Sequence, residues 1–174
     1  MMNRSLTFRP LKKEDFSLLY QWHNASHVHA WWDADTAWTW EAIEQKYSSR
    51  LITQTNPPNV FAYVYDYENT PAGYGHFYDT ALFLSPSHGL EALPPQTAGI
   101  DFFLGNPSLL GKGIAKQALS LFIQALIPEP FTHAFVDPAP ANKGAIAFFK
   151  RVGFNEIESP HDTYWMIKRI DRVP

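Results

Sequence analysis

The chain has 174 residues, 45% hydrophobic and 18% charged, with a formal net charge of −3, enough for a single domain, 1–174, with a full apolar core. It has no cysteine, which excludes a disulfide framework, a thiol nucleophile and cysteine metal sites. No apolar run approaches the ~20 residues of a membrane span, Met1-Met2-Asn3-Arg4-Ser5 leads into a strand pattern and not a signal-peptide core, and no basic face suits nucleic acid.

Leu6, Phe8 and Pro10 alternate with Thr7 and Arg9 and predict a first strand. Phe16, Leu18, Leu19 and Trp22, at helical spacing, predict a helix over 14–23. A tryptophan-rich connection follows, and Asp35 or Thr36 would cap a second helix reaching about Leu51. Asn56-Pro57-Pro58-Asn59 breaks the pattern. Residues 60–67 and 72–78 read as a hairpin about Glu68-Asn69-Thr70-Pro71. Residues 79–96, with Pro86, Pro94 and Pro95, form a loop whose length implies function or mobility. A strand over 99–104, a glycine turn, a helix from Ile114 to about Leu126 and a strand over 132–136 come next. Asp137-Pro138-Ala139-Pro140-Ala141-Asn142 leads into a helix over 143–152 closed by Gly153, and strands over 154–158 and 163–170 end the chain.

Charge is unevenly spread. Residues 51–111 contain no Lys or Arg but hold Asp66, Glu68, Asp79, Glu91 and Asp101. From Lys112 onward the balance turns modestly basic. This distribution suits a cationic amine on one side and an anionic cofactor on the other; a chance excess of solvated carboxylates would look the same. His27-x-His29 is a weak metal pair without a third ligand, so no metal is expected.

The glycine turn is Leu109-Leu110-Gly111-Lys112-Gly113-Ile114-Ala115. At a helix start such a turn offers free backbone N–H groups and the positive end of the helix dipole. Gly111 and Gly113 let the backbone approach a pyrophosphate, and Lys112 and Lys116 add charge. Asp101 is the strongest catalytic candidate: a lone carboxylate among Ile100, Phe102 and Phe103, whose burial would make it a better base.

The order strand, glycine turn, helix, strand, Asn-led helix and Gly-Phe resembles the GNAT acyl-CoA N-acyltransferase family. Gly99-Ile100-Asp101, residues 110–115, residues 137–142 and Ala145-Ile146-Ala147-Phe148-Phe149-Lys150-Arg151-Val152-Gly153-Phe154 are similar to its aminoglycoside 6′-N-acetyltransferase branch. So are Leu11-Lys12-Lys13-Glu14-Asp15-Phe16, Gln21-Trp22 and Trp31-Trp32. The resemblance implies an α/β fold: a central, mostly antiparallel twisted sheet with helices on both faces and a splayed strand pair that admits acyl-CoA. It implies a cytoplasmic N-acetyltransferase, monomer or homodimer, in which the amine attacks the thioester of acetyl-CoA directly.

By the same resemblance Asp101 accepts the amine's proton, and Phe103, Leu104, Leu110, Gly111, Lys112, Gly113, Ile114, Ala115, Lys116, Asn142 and Phe149 line the cofactor. Asn142 also reads as a plain helix cap. Trp31, Trp32, Asp33, Tyr78, Glu91 and Asp137 face the acceptor, although some of the tryptophans must serve the core and Asp137 could instead cap its proline turn. His88 could reach the acceptor. Two positions depart from the family. Leu110 stands where Arg or Gln is common. Phe149 stands where a tyrosine usually protonates the leaving thiolate, and Tyr164 or water would have to serve. An aminoglycoside-type amine is the leading acceptor, although residues 80–98 offer only Glu91 for a polycation. The alternatives are a siderophore-type acyltransferase acting on a hydroxylysine-like amine and a catalytically silent acyl-CoA-binding module.

Overall fold

The computed structural model describes residues 5–52, 58–85, 88–160 and 162–172. The expected break at Asn56-Pro57, Pro86 of the long loop, and the first four residues lie outside them. Seven strands form one sheet in the order β1-β2-β3-β4-β5-β7-β6. They are β1 (Leu6–Pro10), β2 (Val60–Tyr67), β3 (Thr70–Asp79), β4 (Thr97–Leu104), β5 (His133–Val136), β6 (Asn155–Ile157) and β7 (Trp165–Arg169). β1 pairs antiparallel with β2, β5 and β6 pair antiparallel with β7, and β4 runs parallel to β5. The helices are α1 (Phe16–His23), α2 (Ser26–His29), α3 (Trp40–Tyr47), α4 (Ile114–Ala125) and α5 (Lys143–Val152).

The contacts divide into two compact units, Met1–His76 with Phe102–Ala115, and Phe77–Asp101 with Lys116–Pro174. In the first, α1, α2 and α3 bury one face each through Phe16, Leu19, Trp22, Val28, Ile43 and Tyr47, against Ala62 and Val64 of β2 and Phe103 of β4. Burying aliphatic and aromatic side chains contributes about 1.5–3 kcal/mol each before entropy is counted. Trp22 lies where Gly105 leaves room, since a Cβ there would collide with the indole. Arg9 on β1 clamps Asp15 with a two-pronged ion pair, Nη1 at 2.7 Å and Nη2 at 2.8 Å. The β2–β3 hairpin turns on Glu68 and Asn69, both left-handed with φ of 49° and 63°. Such a two-residue turn matches the twist of its strands, so β3 starts at Thr70, two residues earlier than the apolar pattern implies.

The cap of α3 also differs from expectation. Thr39, not Asp35 or Thr36, accepts from the Ala42 backbone N–H at 3.2 Å. Asp33 is left-handed, with φ 47°, and the chain around it turns before the helix can begin. Residues 14–23 split into a short 3-10 turn, Lys13–Asp15, and α1.

In the second unit the described residues of the loop between β3 and β4 include packed anchors. Two 3-10 turns, Thr80–Phe83 and Leu90–Ala92, interrupt it. Leu90 and Leu93, with Phe83, bury against Phe135 of β5 and Trp165 of β7. The loop's apolar side chains are its anchors, a pattern that its prolines obscure in the sequence.

Candidate active site

β4 and β5 set the geometry of the second unit's site. Their parallel pairing runs Thr97 with His133, Ala98 with Ala134 and Gly99 with Phe135. β4 continues to Leu104, whereas β5 ends at Val136. Side chains alternate along a strand, so Asp101 repeats the face of Gly99, and Asp137 repeats that of Phe135. Residues 101 and 137 are thus next in line on that face beyond the last backbone pair, and the charge of Asp101 is felt at Asp137.

Tyr78, near the end of β3, completes the group. A Cβ on Gly99 would lie 2.6 Å from the Tyr78 Oη and Cε2, and closer still to Cζ. The phenol thus lies flat across the backbone of residue 99, where only glycine leaves room. The Tyr78 and Phe83 rings meet edge-on, their centroids 4.9 Å apart.

The electrostatics bind the three together. Burial first, and then the negative charge of Asp101, raise the Asp137 carboxyl from the usual carboxylate range to about 6, against the opposing effects of its own backbone hydrogen bond and of His88. Asp137 is nonetheless exposed. A group both exposed and costly to ionise is open on one side and crowded by protein on the others, the setting a ligand-facing carboxylate requires. The Tyr78 hydroxyl is also pushed up, first by burial and then by Asp101 and Asp137, so it stays a neutral hydrogen-bond donor. Asp101 itself is half-buried. His88 is exposed, and its effect on Asp137 places it within electrostatic range. Glu91 is exposed on the turn Leu90–Ala92.

The glycine turn belongs to the first unit. Asn106 Oδ1 accepts from the Ser108 N–H at 3.0 Å and orders the chain ahead of it. Gly111 and Gly113 are left-handed, with φ of 73° and 75°, and nothing lies within 4 Å of where their Cβ atoms would be. Leu110, Gly111, Lys112 and Gly113 are exposed, while Ile114 is buried and fixes the start of α4. An open, left-handed backbone before a helix of 12 residues leaves first-turn N–H groups for an anion. The donor set therefore fits the diphosphate of coenzyme A, with Lys116 exposed and Ala115 beside it on the first turn of α4. Phe103 is spent on the core: its ring meets Trp22, Trp32 and Tyr74, and its carbonyl accepts from the Tyr65 hydroxyl at 3.2 Å. Its side chain and its carbonyl are thus both engaged within the protein.

In the second unit Asn142 caps α5, its Oδ1 accepting from the Ala145 N–H at 3.0 Å. Any contact to a cofactor falls to its Nδ2. Phe149 is buried against Phe148 and Phe154 and supplies an apolar ring with no proton. Tyr164 donates to Glu156 and carries the Lys150 ammonium 5.8 Å over its ring.

The tryptophan segment divides between core and surface. Trp38 is buried, Trp32 half-buried, and Trp31 and Trp40 exposed. What the sequence did not reveal is the group beneath them. His23 is fully buried, stacked on Trp38 at 3.9 Å, with its Nε2 2.6 Å from the Tyr47 hydroxyl. Burial, then the positive charge of Lys46, pushes its pKa down to about 3, so it is a neutral ring of the core. His27, by contrast, places Nε2 2.9 Å from the Leu104 carbonyl.

The sequence profile of the acetyltransferase (GNAT) domain matches residues 12–160. The chain is 31% identical over 154 residues to the aminoglycoside N(6′)-acetyltransferase type 1 of Klebsiella pneumoniae, covering 87% of this chain and 75% of that one. The same figures hold for the protein of that name from Serratia marcescens. Among solved structures, the aminoglycoside acetyltransferase AAC(6′)-Ib in complex with coenzyme A superposes with a TM-score of 0.77 at 27% identity, covering 95% of each chain. The same protein with ribostamycin and coenzyme A gives 0.78 at 28% identity, covering 95% of this chain and 93% of that one.

Proposed function

The chain belongs to the GNAT acetyltransferase family, and we propose that it acetylates a primary amine of an aminoglycoside-type acceptor through the carboxylate pair Asp101 and Asp137. That it is an N-acetyltransferase using acetyl-CoA follows from the family and from relatives solved with coenzyme A. The acceptor reading rests on the relatives named for aminoglycosides and solved with ribostamycin or kanamycin. The single observation that supports it is the register that brings residues 101 and 137 next in line beyond the Gly99–Phe135 pair, with the charge of Asp101 felt at Asp137.

The chemistry follows from the groups present. An alkyl ammonium has no lone pair and must lose a proton before it attacks. Asp101 attracts and orients it and takes that proton, directly or through water. Asp137, raised to about 6, holds a second ammonium or shares the proton, and the neutral Tyr78 hydroxyl stands within electrostatic range of both carboxylates. Acetyl-CoA supplies the electrophile, a thioester carbonyl whose carbon bonds to the amine nitrogen as its bond to sulfur breaks. Backbone N–H groups of β4 beyond Gly99, where pairing with β5 has ended, meet the negative charge that develops on the carbonyl oxygen. The thiol's ordinary pKa near ~8.5 lets it depart as thiolate without a phenol at position 149. Gly111 and Gly113 offer their backbone to the diphosphate. Acetyl-CoA as the donor fits a reaction in the cytoplasm.

The test is thiol release from acetyl-CoA across aminoglycosides and simple amines. Saturable release with kanamycin-like acceptors is expected. Tight acetyl-CoA binding with no release from any aminoglycoside would refute the acceptor assignment.

A further inference from the structure

Asp33, Trp32 and Trp38 together have the chemistry of an ammonium cage, and the chain's own Lys46 fills it. The Lys46 Nζ is 2.6 Å from Asp33 Oδ2. It stands 4.9 Å over the Trp38 ring and 5.6 Å over that of Trp32. Two indole faces and a carboxylate around one cation is how proteins recognise alkyl ammonium groups. The site is built, not incidental. Trp38 is fixed from below by the neutral His23 ring stacked at 3.9 Å, and its Nε1 donates to the Trp32 carbonyl at 3.3 Å. Asp33 holds a left-handed backbone, φ 47°, which aims its carboxylate from the turn before α3. Lys46 arrives from the last turn of α3, with its side chain 26% exposed, so the cage opens to solvent where that stem enters.

We infer that this cage is a second binding site for an alkyl ammonium ligand, and that Lys46 is a tethered competitor which keeps it closed. The inference rests on the amine-acceptor reading for its biological ligand, the additional ammonium groups of a polyamine acceptor. It gives the shortage of carboxylates in residues 80–98 a consequence: with Lys46 in place, the chain discriminates against acceptors of high charge.

The probe is choline, whose quaternary nitrogen carries no proton and cannot be acetylated, so the outcome is independent of transfer. Tryptophan fluorescence follows its binding. Lys46→Ala empties the cage while leaving a good helix former in α3. It should bind choline at least ~10-fold more tightly than the parent chain, the gain expected of a desolvated cation–π site. Lys46→Met removes the charge but keeps the cage filled, and should show no such gain. Asp33→Asn added to Lys46→Ala should remove most of it. Equal choline affinity in Lys46→Ala and the parent, with matching near-ultraviolet circular dichroism, overturns the inference; so does equal gain in Lys46→Met, which would reduce the effect to net charge. Lys46→Ser serves the same comparison if the alanine variant does not fold. In the transfer assay KM should fall in Lys46→Ala for polycationic acceptors and stay constant for a monoamine. Choline capture without any amine acetylation would sustain the cage and refute the acceptor reading instead.

Discussion

Replacing Gly99 with alanine tests whether Tyr78 positions the carboxylates. The added Cβ would sit 2.6 Å from the phenol oxygen, and ordinary contact begins at 3.4 Å, so the hydroxyl must retreat by at least 0.8 Å. Residue 99 is not left-handed, unlike Gly111 and Gly113, so the backbone tolerates alanine and the whole effect falls on the ring. Phe83 packs edge-on against the ring, which limits where the ring can go. Overpacking of this kind costs about 1–3 kcal/mol of stability. A shift of roughly 1 Å in a group that orients the reacting pair can cost ~10²-fold in rate. Steady-state thiol release should therefore show kcat/KM falling by roughly 10²-fold in Gly99→Ala, while acetyl-CoA affinity by titration holds. Adding Tyr78→Ala removes the clash, so the double variant should regain the melting temperature lost in Gly99→Ala without regaining rate; adjacent residues couple in this non-additive way. A Gly99→Ala enzyme with wild-type kcat/KM would refute the role of Tyr78.

Asp101→Asn should abolish transfer and leave acetyl-CoA binding intact; unchanged turnover would remove Asp101 from the chemistry. With Asp137 held near 6, its working anionic form accumulates as pH rises, so kcat/KM should climb through pH 6, and Asp137→Asn should erase that limb of the profile. The same carboxyl binds its proton more tightly folded than unfolded, so between about pH 4 and 6 its contribution to stability falls as pH rises, and Asp137→Asn should melt higher than the parent at pH 8. Gly113→Val meets no atom within 4 Å but must adopt φ 75°, a strain of order 1–3 kcal/mol; isothermal titration should show coenzyme A binding weakened at least ~10-fold, and undiminished binding would refute the turn assignment. His23, lowered to about 3, stays neutral in the fold while the unfolded chain takes up its proton below about pH 6.5. Stability should therefore decline as pH falls from about 6.5 toward 3, and His23→Phe should flatten that slope in chemical denaturation.

The sequence disclosed the strand–turn–helix motif because its signals are local. Gly111 and Gly113 are left-handed, as a tight turn demands, and Asn142 caps α5 as its position before Lys143 implies. Asp101 stood out as a charge in an apolar run. Its coupling to Asp137 did not, because that depends on the register of β4 and β5, set 36 residues apart in the pair Gly99–Phe135. Gly99 was legible as part of a motif but not as the seat of Tyr78. The cap of α3 was misplaced because Asp33, Asp35, Thr36 and Thr39 are all good cap residues, and only the left-handed turn at Asp33 selects among them. The place of Lys46 over Trp32 and Trp38 is tertiary and leaves no periodic trace.

The loop between β3 and β4 bears on the energetics of each turnover. A mobile lid must surrender conformational entropy whenever a substrate docks, about 1–2 kcal/mol for every residue it orders. Here Phe83, Leu90 and Leu93 are already committed to Phe135 and Trp165, so that loss was met once, during folding. Acceptor capture next to Asp137 should accordingly show a small heat-capacity change, set by the ligand's own buried surface and not by a segment closing over it.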